Sequence, residues 1–159
     1  MSTGIVPGIG EVLPNAAWTR LKNDKNARLI DVRTQAEWSF VGAPDLSELG
    51  HTLICVEWAT FPKMSPNPRF AEQVLEALGG TRPGMLMFLC RSGVRSKSAA
   101  AAVRARYAGL GVDVDCFNVV EGFEGDVNED GHRGFQNGWK FRGLAWRQSW
   151  QDRKLGKNI

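Results

Sequence analysis

Short apolar runs alternate along this chain with segments that carry helix signals. Four of the runs are five or six residues long and rich in Val, Ile, Leu and Phe, which makes them too short and too uniformly apolar for amphipathic helices. Alternation of such runs with helices is typical of a parallel sheet covered by helices. The sequence therefore predicts an α/β fold with buried strands at Arg28–Val32, Thr52–Val56, Met85–Cys90 and Asp115–Val120.

Helix signals stand between these runs. Thr34 and Glu37 are spaced as a capping box, in which two side chains satisfy free amide groups at a helix start. Asn67 followed by Pro68 predicts the start of another helix, which Gly79-Gly80 ends. The predicted helices lie at Pro14–Lys22, after Thr34, after Asn67, from Gly93 to Tyr107 and at Leu144–Trp150.

Size and charge limit the classes of function. At 159 residues the chain has the length of one domain, and 43 % apolar with 23 % charged residues is ordinary for a folded protein. The formal net charge of +3 is matched by the excess of basic residues in 147–159, so we predict no nucleic-acid and no membrane partner. Because membrane-spanning runs and a secretory pattern are absent, and three cysteines do not suit a disulfide scaffold, we expect a cytoplasmic protein.

One segment concentrates residues that are suited to chemistry. The run Met85–Cys90 delivers a cysteine to a short loop that opens into a helix. At the carboxyl end of a parallel strand, loop amides can point at the Cys90 sulfur, and the helix adds the positive end of its dipole. Arg91 and Arg95 add positive charge, so we expect Cys90 to be a nucleophilic thiolate at neutral pH.

This loop, Cys90-Arg91-Ser92-Gly93-Val94-Arg95-Ser96, resembles the active-site loop of the rhodanese-like sulfurtransferases. Two further stretches are similar to segments of that family: Leu29-Ile30-Asp31-Val32-Arg33 with Glu37-Trp38, and Val119-Val120-Glu121-Gly122-Phe123. The resemblance implies a five-stranded parallel sheet with helices on both faces, and an enzyme of the single-domain bacterial thiosulfate sulfurtransferase type. We expect a catalytic domain at residues 1–125 and a Gly-rich, aromatic-rich extension at residues 126–159 packed on it.

The implied reaction moves a sulfane sulfur from thiosulfate, or a similar donor, through a Cys90 persulfide to cyanide or a thiol. Arg91 and Arg95 are the predicted ligands of the anionic donor, and Arg33 is a further candidate at the mouth of the site. The remaining loop residues, Ser92, Gly93, Val94 and Ser96, complete the predicted substrate-binding set, with Ser92 and Ser96 also suited to capping the helix. The interpretation includes no cofactor and no metal.

Other functions stay open at this point. A module that relays persulfide sulfur between proteins, with little turnover of free thiosulfate, needs the same cysteine and adds a protein acceptor as a partner. A phosphatase or an arsenate reductase is less favoured, because four residues separate Cys90 from Arg95 where phosphatase loops of this kind have five.

Weaker signals have structural interpretations. Asp31 and Glu37 are predicted to make structural hydrogen bonds, and Cys55 and Cys116, inside apolar strands, are predicted to be inert thiols. The stretch Asp126–Gly131 imitates the start of a calcium loop, but Asn137 stands where such a loop needs a glutamate, so we predict a polar turn. Both histidines, His51 and His132, are predicted to be structural or exposed.

Overall fold

The computed structural model describes residues 8–80 and 82–148. Its central feature is a five-stranded sheet. The strands are β1 (Ile9–Val12), β2 (Arg28–Asp31), β4 (Ile54–Cys55), β7 (Leu86–Leu89) and β8 (Cys116–Val119). They lie in the order β1-β8-β7-β2-β4, and every neighbouring pair is parallel. The four predicted strands are confirmed, although β4 is shorter than Thr52–Val56.

Helices cover both faces of the sheet. They are α1 (Pro14–Asn23), α2 (Gln35–Phe40), α3 (Phe70–Ala77) and α4 (Arg95–Gly109). Phe70 and Val74 of α3 and Val103 of α4 pack with Ile30 and Phe88 on one face. On the other face, Ala17 and Leu21 of α1 pack with Leu29, Met87 and Leu89. Alternation of side chains along each strand separates the two apolar layers, and the predicted α/β fold class is confirmed.

The helix starts show which local signals the chain follows. The predicted capping box is present at α2, where Thr34 Oγ1 accepts from the Glu37 amide at 3.2 Å. Asn67 was a predicted N-cap, but α3 begins at Phe70 with Arg69 as its N-cap. The Asn67 side chain instead stabilises the preceding turn: its Oδ1 accepts from the Arg69 amide at 3.0 Å and its Nδ2 donates to Glu57 O at 2.8 Å.

Two small antiparallel pairs complete the described elements. The first, β5 (Ala59–Thr60) with β6 (Ser65–Pro66), follows β4. The second joins β3 (Ala43–Pro44) to β9 (Trp146–Arg147). A helix predicted at Leu144–Trp150 is therefore wrong as far as residue 148, and residues 149 and 150 lie outside the described residues.

Contacts of Trp146, Gly42 and Arg147 accompany the β3–β9 pairing. The Trp146 ring packs edge-on against Phe123, with centroids 6.1 Å apart, and Lys140 Nζ lies 4.1 Å from the Trp146 ring. A Cβ at Gly42 would lie 2.8 Å from Arg147 O, so the close approach of the two strands requires glycine there. An ion pair between Arg147 and Asp45 at 2.7 Å adds to the pairing.

Within the described residues, no helix is both long and apolar enough to cross a membrane. A cytoplasmic location stays a prediction. In the stretch predicted to be a polar turn, the Gly131 amide donates to Asn128 O at 3.0 Å, which closes a turn.

Candidate active site

Cys90 lies directly after β7, at the carboxyl edge of the sheet, and its loop leads into the 15-residue helix α4. The residue is 1 % exposed. The Gly93 amide lies 3.1 Å from Cys90 Sγ and donates to it, and Ser96 Oγ lies 3.2 Å from the same sulfur. Gly93 has a φ of +105°, a backbone conformation that side chains disfavour, and this turn aims its amide back at the sulfur.

The segment 121–125, which follows β8, holds the cysteine loop from outside. The Phe123 amide donates to Cys90 O at 2.8 Å, and the Glu124 amide donates to Arg91 O at 3.0 Å. Gly122 packs so closely that a Cβ there would lie 2.5 Å from the Arg91 carbonyl. These contacts satisfy the first two carbonyls of the loop and fix its backbone against segment 121–125.

A second layer of contacts fixes segment 121–125. The Trp139 amide donates to Gly122 O at 2.9 Å, and the Arg142 guanidinium donates two hydrogen bonds to the Glu121 carboxylate, at 2.8 and 2.7 Å. The hydrogen bond from Arg142, which outweighs partial burial, holds the pKa of Glu121 below its ordinary value. Trp139 itself is fully buried against Trp18. The residues after 125 thus support the cysteine loop indirectly.

Arg95 is the first residue of α4, and its guanidinium donates two hydrogen bonds to the Glu37 carboxylate, at 2.7 and 2.9 Å. Burial alone raises the pKa of Glu37, but the Arg95 hydrogen bonds and charge and the Thr34 amide outweigh it, so the pKa lies below its ordinary value. Glu37 therefore has two functions: it completes the capping box of α2 and holds Arg95. The sequence indicated only the first, because the partners are 58 residues apart.

Arg33, a candidate substrate ligand in the sequence, is fully buried in an ion pair with Asp31. Its Nη2 donates to Asp31 Oδ2 at 2.6 Å and to Gly42 O at 2.9 Å, and its guanidinium carbon lies 4.2 Å from the Phe123 ring centroid. A contact between Arg33 and substrate stays a prediction. The structural interpretation of Asp31 agrees with these contacts.

The other loop residues form the rim of the site. Arg91 is exposed and forms no ion pair with the residues that the structure describes. Val94 of the same loop is 48 % exposed, while Ser92 is partly buried. Among the described residues, therefore, no carboxylate pairs with the charge of Arg91.

A buried polar pair lies beneath the loop, and sequence reasoning missed half of it. Asn118 of β8 and Ser96 of α4 are both fully buried. Ser96 Oγ lies 2.5 Å from Asn118 Oδ1, and Asn118 Nδ2 donates to Gly93 O at 2.9 Å. An asparagine inside the apolar run Asp115–Val120 was the available signal, because a buried amide in a central strand needs polar partners.

The other thiols have surroundings unlike those of Cys90. Burial raises the pKa of Cys116 to about 12, and Cys55 is partly buried at the end of β4. The inert character predicted for Cys116 fits this environment. Among the described residues there is no group of three or more metal-ligating side chains.

Comparison with known proteins identifies close relatives. No family model matches the chain. The uncharacterized protein RP600 of Rickettsia prowazekii is 33 % identical over 138 residues, which cover 87 % of this chain and 97 % of that protein. A crystal structure of Rv0390 from M. tuberculosis is 43 % identical, covers 88 % of this chain and 98 % of that one, and superposes with a TM-score of 0.75.

Two further solved structures are more distant. A rhodanese-like domain protein from Staphylococcus aureus is 18 % identical over 72 % of this chain and 87 % of that one, with a TM-score of 0.43, and a rhodanese-related protein from Thermoplasma volcanium is 15 % identical over 88 % and 99 %, with a TM-score of 0.47. Likenesses this weak do not decide the function of this chain. The stronger matches over nearly the whole length of each relative do decide kinship: the chain belongs to the family that includes RP600 and Rv0390.

Proposed function

We propose that this protein is a rhodanese-like sulfurtransferase in which Cys90 carries a sulfane sulfur as a persulfide. One observation carries the proposal. Cys90 Sγ, at the carboxyl end of β7, accepts a hydrogen bond from the Gly93 amide at 3.1 Å, where the loop leads into α4. An amide donor and a helix N-terminus together favour negative charge on the atom they face. The atom that they face is Cys90 Sγ, which carries such a charge when the residue attacks a sulfur donor as a thiolate.

With thiosulfate as the donor, the first half-reaction is a displacement at sulfur. The Cys90 thiolate attacks the outer sulfur of thiosulfate and forms a new S–S bond. The S–S bond of thiosulfate breaks, and sulfite leaves with its electron pair. In the second half-reaction cyanide or a thiol attacks the terminal sulfur of the persulfide, and the Cys90 thiolate leaves. No net oxidation or reduction of Cys90 remains after the two steps.

The two loop arginines contribute differently in this proposal. Arg91 is exposed at the rim, so its charge attracts a dianion from solvent. The Arg95 side chain is 20 % exposed and is already paired with the Glu37 carboxylate. A bound thiosulfate therefore competes with Glu37 for Arg95, and the sulfite group has to share that guanidinium or displace the carboxylate.

A protein acceptor is the second candidate, and the rim favours it. Cys90 is 1 % exposed, whereas Val94, in the same loop as the charged Arg91, is 48 % exposed. An exposed apolar side chain with a cation in the same loop is suited to contact with another protein surface. In that case the persulfide is passed to a partner thiol, and free cyanide is a poor acceptor.

We include in the proposal the division of the chain into a catalytic unit at residues 1–125 and an extension at residues 126–159. It is supported by the hydrogen bond from the Trp139 amide to Gly122 O and by the Arg142–Glu121 fork. Both contacts connect the described part of the extension to the segment that holds the cysteine loop.

Intact mass spectrometry tests the function directly. The protein is incubated with thiosulfate, measured, treated with cyanide and measured again. We expect wild type to gain one sulfur atom, ~32 Da, and to lose it to cyanide, while Cys90→Ser gains nothing. Cys116→Ser is the matched control, because it removes a buried thiol far from the loop in sequence and should behave as wild type. If wild type gains no mass, or Cys90→Ser gains as much, the proposal fails.

A further inference from the structure

A row of three buried groups joins Cys90 to the strand beside it. Ser96 Oγ lies between Cys90 Sγ, at 3.2 Å, and Asn118 Oδ1, at 2.5 Å. Asn118 and Ser96 are fully buried, so water does not compete for their hydrogen bonds. The sulfur-transfer steps above do not use Asn118.

The orientation of the Asn118 amide follows from its other partner. Gly93 O, 2.9 Å away, is a carbonyl oxygen and can only accept, so the nitrogen of the amide faces it. The amide oxygen therefore faces Ser96, and it too can only accept. A hydroxyl has a single proton, so Ser96 directs that proton to Asn118.

This leaves a lone pair of Ser96 Oγ facing the sulfur. At 3.2 Å, a Cys90 thiol can donate its proton to that lone pair. A thiolate or a persulfide has no proton to give and needs Ser96 to turn its own proton toward sulfur. Ser96 Oγ and Asn118 Oδ1 then face each other at 2.5 Å without a proton between them, which is unfavourable for two buried oxygens.

We propose that Ser96 and Asn118 form a proton gate that keeps the resting Cys90 as a thiol. This inference rests on the proposed function. Ser96 is a catalytic residue in it, since it touches the reacting sulfur, and Asn118 is a positioning residue that acts through Ser96. When the gate opens, the thiol proton leaves to solvent and the Ser96 proton turns from Asn118 to sulfur. The sequence alone predicted a resting thiolate; the geometry of this row points to the protonated state.

Charged groups around the site act on the sulfur as well. Arg91 lies in the loop, Arg95 at the start of α4 with Glu37 of α2 as its partner, Asp31 on β2, and Glu121 with Arg142 beyond β8. Changes at Ser96 and Asn118 leave all of these groups in place. A comparison among such variants therefore cancels their contribution.

A double-mutant cycle tests the gate without any sulfur donor. The rate of Cys90 alkylation by iodoacetamide is measured against pH, by peptide mass spectrometry, in wild type, Asn118→Leu, Ser96→Ala and the double variant. In Asn118→Leu the Ser96 proton is free to donate to sulfur permanently. We expect the alkylation profile of that variant to move about one pH unit lower, the effect of gaining one hydrogen bond to an anion.

Making Asn118→Leu in the Ser96→Ala background distinguishes the proposed gate from a general loosening of the loop. Asn118→Leu also removes the donor to Gly93 O, and this loss is the same when Ser96 is Ala. We expect no downward shift from Asn118→Leu in the Ser96→Ala background. An equal shift in both backgrounds, or an upward shift in the first, overturns the gate. Cys55, which is free and partly buried, is followed in the same samples as the internal control, and its extent of alkylation should be the same in all four proteins.

An infrared measurement covers the case in which Asn118→Leu does not fold. The spectrum of Cys90→Ser is subtracted from that of wild type at neutral pH. We expect an S–H stretching band from Cys90, and a band at higher frequency when the same subtraction is made in the Ser96→Ala background, where the acceptor is missing. Absence of the wild-type band overturns the gate. Both measurements are independent of sulfur transfer, so a failed mass gain with thiosulfate refutes the proposed function and leaves this result readable.

Discussion

Replacing Asp31 by Asn leaves the Arg33 guanidinium charged and fully buried without its counter-charge. In wild type the Asp31 carboxylate accepts from the Arg33 backbone amide at 3.1 Å, from its Nε at 3.0 Å and from its Nη2 at 2.6 Å. Arginine does not lose its proton in proteins, so the variant cannot relieve the charge by titration. The Nη2 contact with Gly42 O and the Phe123 ring remain, and neither carries a full negative charge.

The cost follows from these contacts. The Asn oxygen can keep the two hydrogen bonds made to Oδ1, but its NH₂ group then faces Arg33 Nη2, donor against donor. Loss of a charge-assisted hydrogen bond costs about 1.5–3 kcal/mol, and breaking a buried ion pair from one side costs about 3–5 kcal/mol in total. That is a large part of the roughly 5–15 kcal/mol by which small proteins are stable.

Urea unfolding followed by tryptophan fluorescence measures this cost. With a denaturant slope of about 2 kcal/mol per molar, the midpoint should fall by about 2 M. The control is the double variant Asp31→Leu/Arg33→Met, which removes both charges and should lie within about 2 kcal/mol of wild type. A loss below about 1 kcal/mol in Asp31→Asn, or a double variant as unstable as the sum of its singles, refutes the reasoning. The double variant also tests Arg33 as a ligand: an unchanged KM for thiosulfate excludes that role, and a tenfold increase supports it.

Three further predictions concern the site, and a fourth concerns the buried thiol of Cys116. Arg91→Met should raise the KM for thiosulfate about fivefold with little change in kcat, as expected for one exposed charge, and steady-state kinetics at low salt measures it. Gly122→Ala places a Cβ against the Arg91 carbonyl and should abolish the mass gain with thiosulfate while the chain still unfolds cooperatively. The pKa of Glu37 lies below its ordinary value of 4.5, so the stability that the Glu37 carboxylate gives the fold is complete above that pH and is lost as pH falls through the lowered pKa. Glu37→Gln should remove this acid dependence from the free energy of unfolding, and an unchanged dependence contradicts the prediction. With a pKa of about 12, Cys116 should resist iodoacetamide at pH 8 in the folded protein and react in urea.

Local order in the sequence determined most of the sheet and the position of Cys90. Largely apolar runs marked β2, β7 and β8, because strands whose two faces are covered by helices have few polar positions. The edge strand β1 escaped notice, since Ile9-Gly10-Glu11-Val12 is short and half polar. The helix predicted at Leu144–Trp150 was wrong for another reason: Trp146 pairs with Pro44 and packs against Phe123, and contacts so distant in the sequence have no local signal.

In the candidate site, too, the local features were predictable from the sequence and the long-range contacts were not. A strand, a cysteine, a glycine turn and a helix follow one another within eleven residues, so the cradle of Cys90 was readable from the chain. The partners of that cradle were not. Glu37 meets Arg95 across 58 positions, and Ser96 meets Asn118 across 22, and no local pattern encodes such pairs.

The pairing of β1 with β8 has a consequence for synthesis of the chain. Ile9 is made first but meets its partner Cys116 only after more than a hundred further residues have left the ribosome. Asn118 and Phe123, which contact the cysteine loop, emerge at the same late point. The sheet and the contacts that hold the cysteine loop can therefore be completed only after β8 and segment 121–125 have been synthesised.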